Sequence, residues 1–303
     1  MGDVQGQRLT SGSPMTPWLR YISLLTPDVD RTAAFYVDNL DMRPVPVDAD
    51  DRNVDSGGGP RLVLVDASGG YGLQLSLTGP PFMGWQESFF ASQGYGIDHL
   101  GYGVPALEPY ADRLARLEIR PVAGAPLGSL AFHDPAGRRV ALAKVPSEER
   151  PAPNLPIRSG LHHAGGVAPD LAGLARFYRD ALDLHAAYSH GQDGGGFIFM
   201  ADQGVIADQR REGPIMELVG PPGLWEMETE FLTRQGPGWY HICFAVADVD
   251  GTHARLLAAG LPFDIAPMDD DKNRLAFLRD PDMQIVELML PVRRVHGPYG
   301  GGE

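Results

Sequence analysis

The sequence predicts an α+β protein of four βαβββ units, paired into two curved mixed sheets with helices on their outer faces. Three observations predict this. The second half of the chain repeats the first, each half holds two smaller units of one form, and short strands set off by Gly and Pro follow amphipathic helices.

The repeat runs at a nearly constant offset of about 142 positions. TPDVDRTAAFYVDNLDM, from Thr26, matches APDLAGLARFYRDALDL, from Ala168. GPPFMGWQESFFASQGYGIDHLGYGV, from Gly79, matches GPPGLWEMETEFLTRQGPGWYHICFAV, from Gly220, and HDPAGRRVALAKV, from His133, matches RDPDMQIVELMLP, from Arg279, where the offset is slightly longer. Between the halves, PSEERPAPNLPIRSG is rich in Pro and charge and reads as a linker. The expected layout is an arm over 1–16, a first domain over 17–146, a linker over 147–157, a second domain over 158–291 and a tail over 292–303.

Within each unit a short apolar strand leads into Pro-Asp or Ala-Asp and then a helix. Leu171, Ala175, Tyr178 and Leu182 recur at helical spacing, and Asp170 and Asp28 stand where an N-cap is needed. FIFMA, IMELV, YHICFAV and IVELML are rich in β-branched and aromatic residues and read as strands. A concave sheet built this way turns side chains from several strands toward one small ligand.

A chain of 303 residues, 43% apolar and 21% charged, is long enough for two globular domains. Its net charge of −14, with no basic stripe, argues against nucleic acid, and anion recognition would need a local Arg or Lys cluster. One cysteine, Cys243, excludes an internal disulfide framework. No run is long and apolar enough for a membrane span, the first residues lack a signal-peptide core, and Gly6 stands where a myristoylation motif needs Ser or Thr. The expectation is a cytoplasmic protein, monomer or homodimer, acting on a small molecule.

Four residues mark equivalent points of the second half's units: His163, Glu217, His241 and Glu287. Two imidazoles and two carboxylates suit one divalent cation with hard or borderline ligands. A lone strand histidine is more often structural, but these fall at successive unit starts with acids on the matching strands. The first half is the internal control: Tyr21, Gln74 or Ser76, His99 and Ala141 occupy the corresponding positions, so only His99 remains a good ligand. Strand alternation points His162 away from His163 and toward a structural role. Cys243 shares a strand face with His241, as core or as a lining thiol. GQDGGG, from Gly191, reads as a flexible loop over the cleft mouth; Trp225 and Trp239 flank the site, and Arg210, Arg211 and Arg234 read as solvated surface.

Four motifs carry a resemblance: H-x5-P-D-L with the following A-R-F-Y, E-L-V-G-P, G-x-G-x2-H, and D-P-D-x3-V-E-L. Through them the chain resembles the vicinal oxygen chelate superfamily, which includes glyoxalase I, methylmalonyl-CoA epimerase, extradiol dioxygenases and bleomycin-resistance proteins. The resemblance covers roughly residues 17–146 and 158–291. It implies that His163, Glu217, His241 and Glu287 ligate one divalent metal: cobalt, nickel, manganese or zinc, or iron(II) in a dioxygenase.

EFLTRQGPGWYHICFAVADVD is most similar to the epimerase branch, although Tyr240 replaces the first histidine of its pair. The length and two-domain layout are similar to extradiol dioxygenases, which use three ligands and would need a His and a Tyr where Gly213 and Phe277 stand. The expected chemistry is proton transfer next to a carbonyl by an isomerase or lyase. Glu287 or Glu217 would act as shuttle, with Asp193 in reserve. The alternatives are an Fe(II) ring-cleaving dioxygenase and a drug-sequestering binding protein.

Overall fold

The computed structural model describes residues 17–45, 59–66, 73–82, 84–122, 125, 128–146, 160–190, 196–202, 215–269 and 273–291. The expected arm, linker and tail lie outside these residues. The first half runs β1 (Trp18–Leu25), α1 (Val29–Leu40), β2 (Met42–Val45), β3 (Arg61–Asp66), β4 (Gln74–Thr78), α2 (Trp85–Gln93), β5 (Gly96–Val104), α3 (Glu108–Arg116), β6 (Ser129–His133) and β7 (Arg139–Lys144). In the second half come β8 (Gly160–Val167), α4 (Leu171–Leu182), β9 (His185–His190), β10 (Gly196–Ala201) and β11 (Ile215–Gly220). They are followed by α5 (Glu226–Gln235), β12 (Gly238–Ala245), α6 (Val249–Ala258), β13 (Phe263–Asp269), β14 (Asn273–Arg279) and β15 (Ile285–Pro291). Three of the four units are βαβββ; in the unit from β5 to β7 the described residues give two strands after the helix.

Each half forms one mixed sheet. The first has seven strands in the order β2-β3-β4-β1-β5-β7-β6, and the second has eight, β13-β14-β15-β12-β8-β11-β10-β9. The opening strands of the two units lie side by side and antiparallel, β1 on β5 and β8 on β12, each flanked by the parallel closing strand of its own unit. Four strands from two units therefore run through the centre of each sheet. The caps read from sequence are present: Asp28 accepts from the Arg31 amide at 3.0 Å and Asp170 from the Gly173 amide at 2.8 Å.

Two β-bulges interrupt the central pair of the second sheet. Trp239 opposes Gly166 and His241 opposes Gly165, which leaves Tyr240 extra; Cys243 opposes His163 and Phe244 opposes Leu161, which leaves His162 extra. Arg20 and Asp98 are extra in the same way between β1 and β5. Every bulged residue immediately precedes one of the positions read as a ligand landmark. A bulge sets two successive residues against one and re-aims a side chain.

The halves share a core. One continuous apolar cluster holds Tyr36, Leu75 and Leu100 from the first half together with Tyr178, Leu218 and Phe244 from the second. Two reciprocal hydrogen bonds cross the junction. The Tyr36 hydroxyl on α1 donates to the Asp280 carboxylate at 2.9 Å, and the Tyr178 hydroxyl on α4 donates to Asp134 at 2.8 Å. Asp134 also takes the Arg138 guanidinium at 2.8 Å, which lies 4.1 Å from the ring centre of Trp239 in the other half. Burial pushes the Asp280 carboxyl up to about 6, against the hydrogen bonds from Tyr36 and from the backbone of Gln284 and Asp282.

Candidate metal centre

Glu217 comes from β11, His163 from β8, His241 from β12 and Glu287 from β15, four adjacent strands in the centre of the second sheet. Their ligating atoms all lie within 4.8 Å of one another. His163 Nε2 is 3.0 Å from His241 Nε2, 3.5 Å from Glu217 Oε2 and 3.3 Å from Glu287 Oε2. The His241 Nε2 distances to the same carboxylates are 3.3 and 3.2 Å. A metal about 2.1 Å from each ligand separates neighbouring donor atoms by roughly 3.0 Å in octahedral and roughly 3.4 Å in tetrahedral geometry. Four of these five edges fall in that range and the fifth, His163 to Glu217 at 3.5 Å, lies just beyond it, and the donor set of two nitrogens and two oxygens fits one divalent ion.

Glycine makes the arrangement possible. A Cβ on Gly165 would stand 1.9 Å from Cε1 and 2.3 Å from Nδ1 of His241, so the His241 ring occupies the space that a side chain on β8 would fill. Both imidazoles are buried, whereas the Glu217 side chain is 13% exposed and is the most accessible of the four. In the metal-free protein burial acts to push His163 down, but its hydrogen bonds to Glu217 and Glu287 and their charges prevail and raise it to about 9. The same imidazoles draw the Glu287 carboxyl far below its ordinary range, against the opposing effect of burial.

The walls of the site are aromatic. The Phe199 ring is 5.5 Å from His163, and Phe277, register partner of Glu287, is 6.3 Å from His241 and 5.5 Å from Trp225. Phe277, Tyr240 and Ile285, with Phe197, Trp225 and Phe231 packed against them, form an apolar cluster separate from the main core. Trp225 is thus a wall residue, while Trp239 is buried under Arg138. Cys243 is fully buried; burial and the neighbouring Glu287 push its thiol up, which marks it as an inert packing residue. Arg234 pairs with Glu230 on the exposed face of α5. Asp193, Arg210, Arg211, Gly213 and the GQDGGG loop up to residue 195 lie outside the described residues.

Two expectations change. Strand alternation had turned His162 away from His163, yet the two Nδ1 atoms are 2.8 Å apart. The bulge at His162 cancels the alternation locally and brings consecutive rings together. The register also decides between Gln74 and Ser76: Glu217 pairs with Gly165, and the equivalent pairing on β1 is Ser23 with Ser76.

In the first half Tyr21 fills the vacancy. Its hydroxyl lies 3.1 Å from His99 Nε2, and a Cβ on Gly101 would fall 2.0 Å from its ring. Asp98 holds the other nitrogen of His99 at 3.0 Å. With Ser76 and Ala141 at the carboxylate positions, this half keeps the geometry without a ligand set. A cleft of about 730 Å³ opens between the halves, lined by Trp85, Arg139, Trp239 and Gln284 among others, and no member of the quartet borders it.

The pattern of the Glyoxalase/Bleomycin resistance protein/Dioxygenase superfamily matches residues 160–288. No curated protein matches the chain in sequence. Among solved structures, a triple mutant of 4-hydroxymandelate synthase from Streptomyces coelicolor superposes with a TM-score of 0.64 at 20% identity, over 92% of this chain and 95% of that one. The 2,3-dioxygenase LapB from Pseudomonas sp. KL28 gives 0.62 at 15% identity, covering 95% of this chain and 96% of that chain. A Mn(II)-bound glyoxalase from Novosphingobium aromaticivorans gives 0.60 at 15% identity, covering 92% and 84%. All three superpose over both halves of this chain, and among the described residues no helix is long and apolar enough to cross a membrane. Residues 160–288 form a domain of the Glyoxalase/Bleomycin resistance protein/Dioxygenase superfamily, and the first half repeats its fold with Tyr21, Ser76 and Ala141 at the positions of His163, Glu217 and Glu287.

Proposed function

We propose that this protein is a metal-dependent isomerase or lyase that moves a proton next to a carbonyl, in a small substrate with two adjacent oxygens and an apolar body. One observation carries the reading: Glu217 brings a fourth ligating atom within 3.5 Å of both imidazole nitrogens, where three protein ligands would already hold a metal. A bound divalent ion supplies Lewis acidity, which lowers the pKa of a C–H beside a coordinated oxygen. His163 and His241 orient the centre through Nε2. Glu287, the more buried carboxylate, holds its place on β15, and Glu217, the more accessible one, is the group placed to take and return a proton. Phe199, Phe277 and Trp225 keep water from the reacting carbon and favour an apolar substrate.

Support for a second reading comes from the fold: LapB, named a 2,3-dioxygenase, superposes over nearly its whole length. In that reading His163, His241 and Glu287 would hold iron(II) and Glu217 would be dispensable. The test is elemental analysis of protein purified anaerobically without chelators, followed by Glu217→Gln. Near-stoichiometric cobalt, nickel, manganese or zinc, weakened at least tenfold by Glu217→Gln, supports the first reading. Iron retained in the variant, with oxygen consumption on catechols, would replace it with the second. Absence of any metal, and of binding on reconstitution, would leave a binding protein.

A further inference from the structure

We infer that His162 is a positioning residue for the metal centre: through its Nδ1 it accepts the Nδ1 proton of His163 and so fixes His163 in the tautomer whose Nε2 is free to ligate. The inference rests on the metal reading above and on the geometry of one pair of rings. His163 turns Nε2 toward Glu217, Glu287 and His241, and Nδ1 toward His162 Nδ1 at 2.8 Å, with the ring planes at 74°. Both rings are buried, at 2% and 0% exposure.

A neutral imidazole has one N–H and one lone pair. If His163 gives the Nε2 lone pair to a metal, its single proton sits on Nδ1, and the only atom facing it in this pair is His162 Nδ1, which must then accept. His162 consequently carries its own proton on Nε2. The reverse arrangement, with His162 donating, puts the His163 proton on Nε2 and blocks the ligand. One proton position is therefore compatible with metal binding, and His162 selects it. A ligating histidine commonly donates its other N–H to a partner, and loss of that partner typically costs roughly 10–100-fold in metal affinity.

The second imidazole lacks such a partner: His241 Nδ1 is buried with no hydrogen-bond acceptor among the described residues. The residue bulged before it, Tyr240, directs its hydroxyl to Glu228 at 2.6 Å instead and meets His241 only ring to ring, at 4.4 Å. The two bulges are geometrically alike, but only the one at His162 supplies an acceptor. The anchoring of the centre should therefore be asymmetric.

The experiment compares His162→Asn with His162→Leu. These side chains have nearly the same size and branching, and the Asn carbonyl oxygen can stand near the place of Nδ1. Cobalt(II) affinity is read by chelator competition, alongside the visible absorption of the bound ion and the melting of the metal-free proteins. The expected result is wild-type affinity within about threefold for Asn and a roughly 10–100-fold loss for Leu with a shifted spectrum. Equal losses in both variants would reduce His162 to packing and overturn the inference, as would wild-type affinity in both. If neither variant folds, long-range nitrogen–proton correlation on wild-type protein labelled at histidine and loaded with zinc decides. A proton on His163 Nδ1 and on His162 Nε2 supports the inference, and a proton on His162 Nδ1 overturns it. Wild-type protein that binds neither ion would defeat the metal reading itself, a result distinct from wild-type binding that His162→Leu leaves unchanged.

Discussion

Metal binding to this protein should strengthen steeply as pH rises toward 9. In the metal-free state His163 keeps a proton up to about pH 9, because Glu217 and Glu287 outweigh the opposing effect of burial. A metal needs the Nε2 lone pair, so that proton must leave when the ion enters. Below pH 9 each unit of acidification therefore costs the metal about tenfold, or about 1.4 kcal/mol. Between pH 6.5 and 8.5 the apparent affinity should rise about 100-fold, with close to one proton released per metal. An unperturbed histidine, with a pKa of about 6.5, would level off above neutrality instead.

The assay is competition with a fluorescent chelator calibrated at each pH, paired with calorimetry in buffers of different ionisation enthalpy to count protons. A flat affinity between pH 7 and 8.5 would refute the reasoning, because it would mean that the carboxylates do not hold a proton on His163. The metal-free protein offers a sign check on the same group. A raised histidine pKa gives stability that is whole below about pH 6.5 and lost as pH climbs to about 9, so its melting temperature should fall over that window.

Other outcomes follow from the geometry. Gly165→Ala places a methyl 1.9 Å from His241 and should displace that ligand, cutting metal affinity at least tenfold while circular dichroism stays native; unchanged binding would show that β8 can yield. Tyr21→Phe should leave metal stoichiometry at one per chain and cost about 1 kcal/mol in urea unfolding, since His99 loses a hydrogen-bond partner. Tyr36→Phe removes a donor to buried Asp280. It should cost about 1.5–3 kcal/mol above pH 6, where that carboxylate is charged, and less at pH 5, where it has taken up a proton; equal losses at both would contradict the titration near 6.

The clustering of His163, Glu217, His241 and Glu287 was legible because each of them closes or opens a unit and the repeat supplies an internal control. Helix caps and strands followed from local rules: an Asp before an amphipathic run, and β-branched residues between turns. What stayed hidden depends on register and distance. The direction of His162 was misread because alternation holds only in an uninterrupted strand, and no local signal in GLHHAGGV marks the bulge. Ser76 could not be chosen over Gln74 until pairing with β1 was known. Tyr36 with Asp280, and Tyr178 with Asp134, were visible only as repeated F-Y and D-P motifs, because each bond joins residues from opposite ends of the repeat. The shared core likewise exists only once the halves have met.

The crossed tyrosine–aspartate bonds change how tolerant each half should be to substitution. The first half keeps only His99 of the four positions, yet it supplies the donor for one buried carboxylate and the carboxylate for the other donor. A saturation survey scored for folded, metal-loaded protein should therefore find Ser76 and Ala141 permissive, and Tyr36 and Asp134 almost as intolerant as the quartet itself. The first half is held to its sequence by its sibling's turns and helices.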